Sequence, residues 1–420
     1  MSATPDMSRA FLRSRRTGDA LAIGVVSCFL IWSVVRLLPF SNGLDGILRD
    51  TGNDWSAYAA DALDVRHHGI LMPSIHGPYV SPASFLYIYF LAACFALFGE
   101  SSVPVFLVQS LLLGLSVALA YWTFRDKMTG LTGVLFLATA SVFAAVDVSK
   151  YYSFRFLGEN LALFTLALFF YCFIRGLDRN KPALMLTAAA VLGLSVLIRP
   201  NLVLLALVVV LIAIWHYRAT SPAWLAWMKS LLFTAVLASS MSLLLIRNHV
   251  VAGGWLFLPA QGSSVGFLKL VHPVPPSVDL SGLETHALYA RLHVSRDVAT
   301  YVEFARQQPR LFFGYFLKKA AFCLGFLPIL EPDYQYRPHW MLMWAGCFAY
   351  LWRRLKDAGT LETWELTVLL FIPCYYGVIV LAAAVGNYGF RMLIPATNIV
   401  LACAFLAVGP ARRPRTIDRP

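Results

Sequence analysis

The sequence predicts an all-α polytopic membrane protein with about ten transmembrane helices and further interfacial helices in two long outer loops. Of its 420 residues, 59% are apolar and only 13% are charged, and the mean hydropathy is +0.67. A soluble domain usually has about 45–50% apolar and roughly 25% charged residues. This chain therefore cannot cover itself with a hydrophilic surface. Apolar segments recur along its length, and the basic residues between them set the number that cross.

The chain is expected to form one membrane domain between two basic termini. Residues 1–19 hold four arginines ahead of the first apolar segment, and no small-residue cleavage site follows that segment. This pattern is typical of a retained signal anchor with a cytoplasmic N-terminus. We therefore predict a cytoplasmic segment over 1–19, a single transmembrane domain over 20–408 and a basic cytoplasmic tail over 409–420.

Twelve apolar segments reach or approach the length that crosses a bilayer. They lie at about 20–38, 83–99, 102–123, 130–146, 157–174, 183–198, 201–216, 230–246, 311–330, 338–352, 366–384 and 391–408. If all twelve crossed, two basic loops would face outward, against the preference of Lys and Arg for the cytoplasmic side. Some segments must therefore stay on one side.

The segments at 83–99 and 311–330 are the best candidates for non-crossing helices. If the segment at 83–99 does not cross, both basic loops face the cytoplasm. The second has two adjacent lysines at its centre, where each charge would cost about 2.5–3.5 kcal/mol. Ten spans remain, with 18 basic against 8 acidic residues inside and 16 against 14 outside. Two long outer loops, about 39–101 and 247–337, then cover the span ends.

Several function classes are not supported by the sequence. The formal charge of +12 follows the topology and does not indicate a nucleic-acid surface. The seven cysteines lie in apolar stretches without CxxC or Cys/His spacing, which indicates buried thiols and neither disulfides nor a zinc site. Walker, GxGxxG, HExxH and DxD motifs are absent from the sequence. We therefore expect no nucleotide, no metal and no other cofactor.

The first outer loop contains a predicted amphipathic helix over 52–69, whose apolar positions recur at helical spacing. Asp54 falls in its first turn, where the helix dipole favours a carboxylate by about 0.3–1 kcal/mol. Asp54 is then either a helix cap or a catalytic carboxylate, and the pattern leaves both open. Tyr58 and Asp61 share its face, where they extend a polar cluster unless Asp61 simply faces solvent.

Four charged residues lie at the ends of predicted spans. They are Glu159 in FLGENLAL, Arg199 in VLIRPNL, Arg247 in LLLIRNHV and Arg391 in GNYGFRMLIP. The ten-span topology puts all four on the outer side. Each arginine alone is typical of a side chain that snorkels to the interface. Three together favour a phosphate site, because guanidinium forks match phosphate oxygens bidentately.

The order of these motifs resembles that of the GT-C membrane glycosyltransferases, in the bacterial branch similar to protein O-mannosyltransferases and to the lipid A aminoarabinose transferase. Besides the acid before the first-loop helix, the motifs are GPYxxP, GEN, LIRPN, IRN, QQPRLFFGYFLKK and NYGFRMLIP, within about residues 20–408. The resemblance implies a GT-C-like fold and transfer of a sugar from a polyprenyl-phosphate donor to an acceptor on the outer face. Two departures are a single acid, Asp54, where many relatives have a pair, and SPAS at 81–84 in place of a double Pro.

The same resemblance implies roles for individual residues, with Asp54 as the catalytic base and the arginines as contacts of the lipid phosphate. The implied substrate-binding residues are Tyr58, Tyr79, Glu159, Arg199, Arg247, Lys318, Tyr388 and Arg391. The expected partners are a polyprenyl-phosphate sugar donor, a glycan, lipid or protein acceptor, and membrane lipids, with no nucleic acid. The expected location is the plasma or inner membrane, with the active site on the extracytoplasmic side.

Two alternatives share this architecture. In a transporter or flippase of a lipid-linked anionic solute, the same arginines would line a path and do no chemistry. The sequence shows no inverted repeat, however, and its polar groups gather on one face of the membrane. An outer-face acyl-transferring or polymer-ligating enzyme with a polyprenyl-diphosphate donor is the other alternative.

Overall fold

The computed structural model describes residues 5–37, 44–49, 54–71, 85–149, 153–199, 202–255, 338–356, 361–382 and 394–408, with a few positions between 305 and 317. Every regular element within these ranges is a helix, and none is a strand. The predicted all-α class is therefore confirmed.

Thirteen α-helices have described bounds, and the few described positions between 305 and 317 are helical as well. They are α1 (Pro5–Leu37), α2 (Leu44–Arg49), α3 (Asp54–His68), α4 (Phe85–Phe98), α5 (Ser102–Phe124), α6 (Gly130–Phe143), α7 (Glu159–Arg179), α8 (Pro182–Val196), α9 (Val203–Thr220), α10 (Ala223–Ala252), α11 (Pro338–Lys356), α12 (Thr363–Ala382) and α13 (Thr397–Val408). The shorter helical segments are a 3₁₀ turn at Arg125–Lys127, a π-helical segment at Ala144–Ser149 and a 3₁₀ turn at Ile394–Ala396.

Several helices extend past the apolar segments that predicted them. α1 begins at Pro5, well before the predicted span at 20–38, and α10 covers 30 residues around the segment at 230–246. A helix continues beyond its apolar part because each added residue gains a backbone hydrogen bond once the helix has formed. The predicted interfacial helix at 311–330 lies almost entirely outside the described residues.

Ion pairs gather the basic loops at one end of the bundle. The pairs are Arg125–Asp19, Arg175–Asp126, Lys127–Asp178 and Arg354–Glu365. With a longer contact from Lys127 to Glu362 (3.9 Å), they bring together the middle of α1, the turn after α5, the end of α7 and the connection between α11 and α12. We call this the basic end. The opposite end, which holds Glu159, Arg199 and Arg247, is called the distal end.

Ten described helices, α1 and α5 to α13, run between the two ends. Five are long and apolar enough to cross a membrane, and these spans are Arg16–Leu37, Ser102–Lys127, Glu159–Arg179, Val203–Thr220 and Ala223–Val251. Shorter apolar helices include α6 and α8. Large apolar side chains such as Ile31, Leu211 and Leu231 are exposed on the outside of the bundle. This arrangement is that of a multi-pass membrane protein, since lipid contacts such apolar faces favourably.

α4 is apolar like the crossing helices but stays at the distal end. The Leu86 N–H, in its first turn, donates to the Leu197 carbonyl at the end of α8 (3.2 Å). Glu100, two residues after α4 ends, pairs with Arg66 of α3 (3.0 Å). The buried side chains of α4 all belong to one cluster with those of α2, α3 and the distal ends of α5, α7 and α8. α4 therefore covers the distal end and does not pass to the basic end.

A second and larger apolar core runs along the bundle through α1 and α5 to α13. Close approach of backbones contributes to it. A Cβ added at Gly193 of α8 would lie 2.6 Å from the Leu237 carbonyl oxygen of α10, so only glycine allows the two helices to pack here. The two cores hold the distal end in a fixed relation to the crossing helices.

Candidate functional site at the distal end

The distal end brings together five of the predicted site residues from four separate helices or turns. They are Asp54 and Tyr58 on α3, Glu159 at the start of α7, Arg199 in the turn after α8 and Arg247 near the end of α10. The other four, Tyr79, Lys318, Tyr388 and Arg391, lie outside the described residues.

The predicted amphipathic helix is present as α3. Its apolar face is anchored by Ala59 and Ala62, both fully buried, while Asp54 is exposed in the first turn. Asp61 is buried, so the reading of this residue as a solvent-facing carboxylate is wrong. Asp61 lies two turns after Asp54, where α3 packs against α4. The position of Asp54 leaves its carboxylate accessible to a molecule at the surface of the distal end.

Aromatic rings connect α3 to the neighbouring elements. The Tyr58 ring meets the Tyr87 ring of α4 edge to face, with centroids 5.7 Å apart. The guanidinium carbon of Arg155 lies 4.9 Å from the centre of the Trp55 ring. Trp55 directly follows Asp54, so this stack brings a positive charge to the first turn of α3. Arg155 belongs to the short segment that leads into α7.

A buried amide network holds that segment in place. The Gln109 side chain, on α5, accepts a hydrogen bond from the Tyr87 hydroxyl (3.1 Å) and donates to the backbone carbonyls of Ser153 (3.3 Å) and Arg155 (3.0 Å). The Asn160 side chain donates to the Ser153 hydroxyl (2.8 Å) and to the backbone carbonyl of Gln109 (3.2 Å). Because Gln109 and Asn160 are fully buried, these bonds fix the backbone of the segment against α4 and α5.

Glu159 and Arg199 form a buried ion pair. The Arg199 guanidinium donates from Nη2 to Oε1 of Glu159, whose side chain has no exposed surface. The pair joins the start of α7 to the turn between α8 and α9, where the Leu202 N–H donates to the Arg199 carbonyl. The positive charge of Arg199 is therefore largely neutralised within the protein.

Arg247 occupies a different environment, between α10 and α4. It is buried, and its Nη1 donates to the Asn248 side chain (3.1 Å). The Tyr89 hydroxyl of α4 lies within hydrogen-bonding reach of Arg247 and donates to the Ile70 carbonyl. Burial raises the pKa of Tyr89, and the nearby Arg247 charge partly opposes this shift. Arg247 thus brings a buried positive charge to the wall formed by α4.

The donor set of the site suits an anion and a proton acceptor. Within the described residues, no group of three or more His, Cys, Asp or Glu side chains is arranged to hold a metal ion. The site offers the exposed carboxylate of Asp54, the exposed side chain of Arg155 on the neighbouring Trp55 ring, and the buried Arg247 next to Tyr89 of α4. A carboxylate takes a proton, and guanidinium groups bind phosphate oxygens.

Two residues of this arrangement were not among the predicted site residues. Gln109 is an isolated polar residue within an apolar span, which is itself a signal of a buried functional or structural contact. Arg155 lies in FRFLGEN, four residues before the predicted site residue Glu159. Its stacking on Trp55 depends on a contact between positions 100 residues apart, which no local pattern reveals.

Comparison with known families identifies one match. Residues 81–245 match the family model described as dolichyl-phosphate-mannose-protein mannosyltransferase. Comparison with curated proteins and with solved structures gives no match. The family match confirms the resemblance to the GT-C superfamily and indicates a membrane glycosyltransferase of the GT-C type. The matched region contains Gln109, Arg155, Glu159 and Arg199, and it excludes α3 with Asp54.

Proposed function

We propose that this protein transfers a sugar from a polyprenyl-phosphate-linked donor to an acceptor on the outer face of the plasma or inner membrane, where its distal end lies. The observation that carries the proposal is the position of Asp54, an exposed acidic residue in the first turn of α3, directly before the Trp55 ring on which the Arg155 guanidinium stacks. The family match over 81–245 supports the reaction class, and the polyprenyl-phosphate donor follows from the resemblance.

In the proposed reaction, Asp54 accepts the proton of an acceptor hydroxyl or amine as that group attacks the anomeric carbon of the sugar. The bond between this carbon and the phosphate oxygen breaks, and polyprenyl phosphate leaves with the bonding electron pair. Guanidinium groups stabilise the charge that develops on the departing phosphate. We assign this role to Arg247 and Arg391. No cofactor is required, since the donor already contains the activated bond.

The remaining predicted residues are proposed as parts of the sugar and lipid site. Tyr58 lies on the same face of α3 as Asp54 and is suited to contact a sugar ring. Tyr79, Lys318 and Tyr388 are assigned from their motifs alone. Arg199 contacts a phosphate only if its bond to Glu159 opens, so we propose that this pair mainly forms the wall of the substrate site.

The test uses purified protein in vesicles with radiolabelled polyprenyl-phosphate sugars, and membranes of the source cell as the supply of acceptor. Asp54→Asn keeps the shape and the helix-capping ability of the side chain but cannot take a proton. We expect a loss of transfer of about 10²- to 10⁴-fold with donor binding retained. Asp64→Asn, on the same helix, is the matched control and should transfer normally.

Near-normal transfer by the Asp54→Asn variant would show that the residue is only a helix cap. A transporter would instead move the lipid-linked sugar across the vesicle membrane without any transfer, in the wild type and in both variants. That result would contradict the proposed glycosyltransferase activity and favour the transporter alternative.

A further inference from the structure

Arg155 differs from three other arginines at the distal end. Arg199 is bonded to Glu159, Arg66 is paired with Glu100, and Arg247 is buried. The Arg155 side chain is exposed, and no described carboxylate pairs with it. Its guanidinium carbon lies over the Trp55 ring, 4.9 Å from the ring centre. An aromatic face holds a guanidinium without neutralising its charge, so the N–H donors stay available to an anion.

Buried groups on both sides hold the backbone at Arg155 in place. Its carbonyl accepts hydrogen bonds from the Gln109 side chain (3.0 Å) and from the Leu157 N–H (2.9 Å). The rings of Phe154 and Phe156, on either side of it, pack against Phe106 of α5. The backbone at Arg155 is therefore anchored on both sides, and its side chain is directed to the surface beside α3.

We infer that Arg155, held by Trp55, binds the phosphate group of the lipid-linked donor and so places the leaving group next to Asp54. This inference rests on the proposed function. The chemistry recognised is a phosphate ester on a lipid, bound through the two-pronged edge of the guanidinium. Such a group also occurs on anionic phospholipids, and the inference commits to the polyprenyl phosphate because Trp55 directly follows Asp54, the residue proposed as the base.

The test measures binding of tritiated polyprenyl phosphate to the full-length protein in phosphatidylcholine nanodiscs, with uncharged polyprenol as competitor. In Arg155→Gln, the affinity for polyprenyl phosphate should fall about 10- to 100-fold, as expected for the loss of a hydrogen bond to a charged group. Competition by polyprenol should not change. Arg155→Lys should be intermediate, since it keeps the charge but loses the fork. Trp55→Leu should also lower the affinity for polyprenyl phosphate, because the Arg155 guanidinium loses the ring that holds it.

Arg49→Gln is the matched control, because Arg49 is also an exposed arginine in the segment before α3. It should bind polyprenyl phosphate as the wild type does. The same measurement in nanodiscs with phosphatidylglycerol separates the two phosphate sources. Equal competition by phosphatidylglycerol would show a general lipid-headgroup contact and would overturn the assignment to the donor. Melting temperatures of all variants identify any loss of folding, and Arg155→Lys serves if Arg155→Gln does not fold.

The failure of this inference is distinguishable from the failure of the proposed function. If the wild type transfers sugar and Arg155→Gln binds polyprenyl phosphate with unchanged affinity, the inference is wrong and the function stands. If the wild type binds polyprenyl phosphate through Arg155 but transfers no sugar, the function is wrong and the phosphate site stands. If the wild type does not bind polyprenyl phosphate, both are wrong.

Discussion

Removal of one partner of the Glu159–Arg199 pair should destabilise the protein strongly. The Glu159 side chain has no exposed surface and that of Arg199 is 10% exposed, so the pair lies in a region of low dielectric. Arg199→Met would remove the guanidinium that is bonded to the buried Glu159 carboxylate. Breaking a buried pair in this way costs about 3–5 kcal/mol. We expect a loss of that order in the free energy of unfolding.

The double variant Glu159→Leu/Arg199→Met separates the charge from the packing. With both charges removed, no carboxylate remains to be desolvated, and replacement of a buried pair by apolar residues is often neutral. We therefore expect the double variant to recover most of the stability lost in Arg199→Met. Because both residues are also proposed to form the wall of the site, transfer activity should remain impaired even where stability is recovered.

Unfolding in mixed micelles with increasing dodecyl sulfate, followed by tryptophan fluorescence, provides the measurement. The exposed pair Arg66–Glu100, whose side chains are 29% and 37% exposed, is the matched control. Arg66→Met should cost no more than about 1 kcal/mol, since exposed pairs contribute little. The reasoning is refuted if Arg199→Met is no less stable than Arg66→Met, or if the double variant is as unstable as the single one.

Three further predictions follow from the packing. Gly193→Ala should lose about 1–3 kcal/mol of stability in the same assay, because its Cβ meets a backbone carbonyl of α10 at 2.6 Å, whereas Gly24→Ala, with open space around it, should not. Gln109→Leu should weaken donor binding by loosening the segment before α7, and unchanged binding would exclude a positioning role for this side chain. Single cysteines at Asp178 and Glu100, in a cysteine-free background, should react with a membrane-impermeant maleimide from opposite sides of the membrane; labelling of both from one side would contradict the placement of α4.

The sequence predicted those parts of the structure that leave a local, periodic pattern of apolar residues. Apolar length and helical spacing predicted the crossing segments and α3, because burial in lipid and burial of one helix face both leave periodic patterns. Asp54 could be singled out because a carboxylate in the first turn of such a helix is a local feature.

Contacts between distant positions were not predictable in the same way. The bond between Glu159 and Arg199 joins residues 40 positions apart, and each looked like an independent outward charge. The Arg155–Trp55 stack and the bonds of Gln109 depend on how α3, α4 and α5 pack together. Such pairings follow from the tertiary arrangement, which a single sequence without related sequences does not record.

The hydrogen bond from Leu86 to Leu197 has a consequence for the biosynthesis of the protein. The partner of the first turn of α4 lies 111 positions later in the chain (86 to 197), at the far end of α8. Ribosomes add about 5–20 residues per second, so this partner is made about 6–22 s after Leu86. Five helices, α4 to α8, must emerge before the contact forms. We therefore expect the distal cap to assemble late, after membrane insertion of α8, and to remain accessible to quality-control proteases until then.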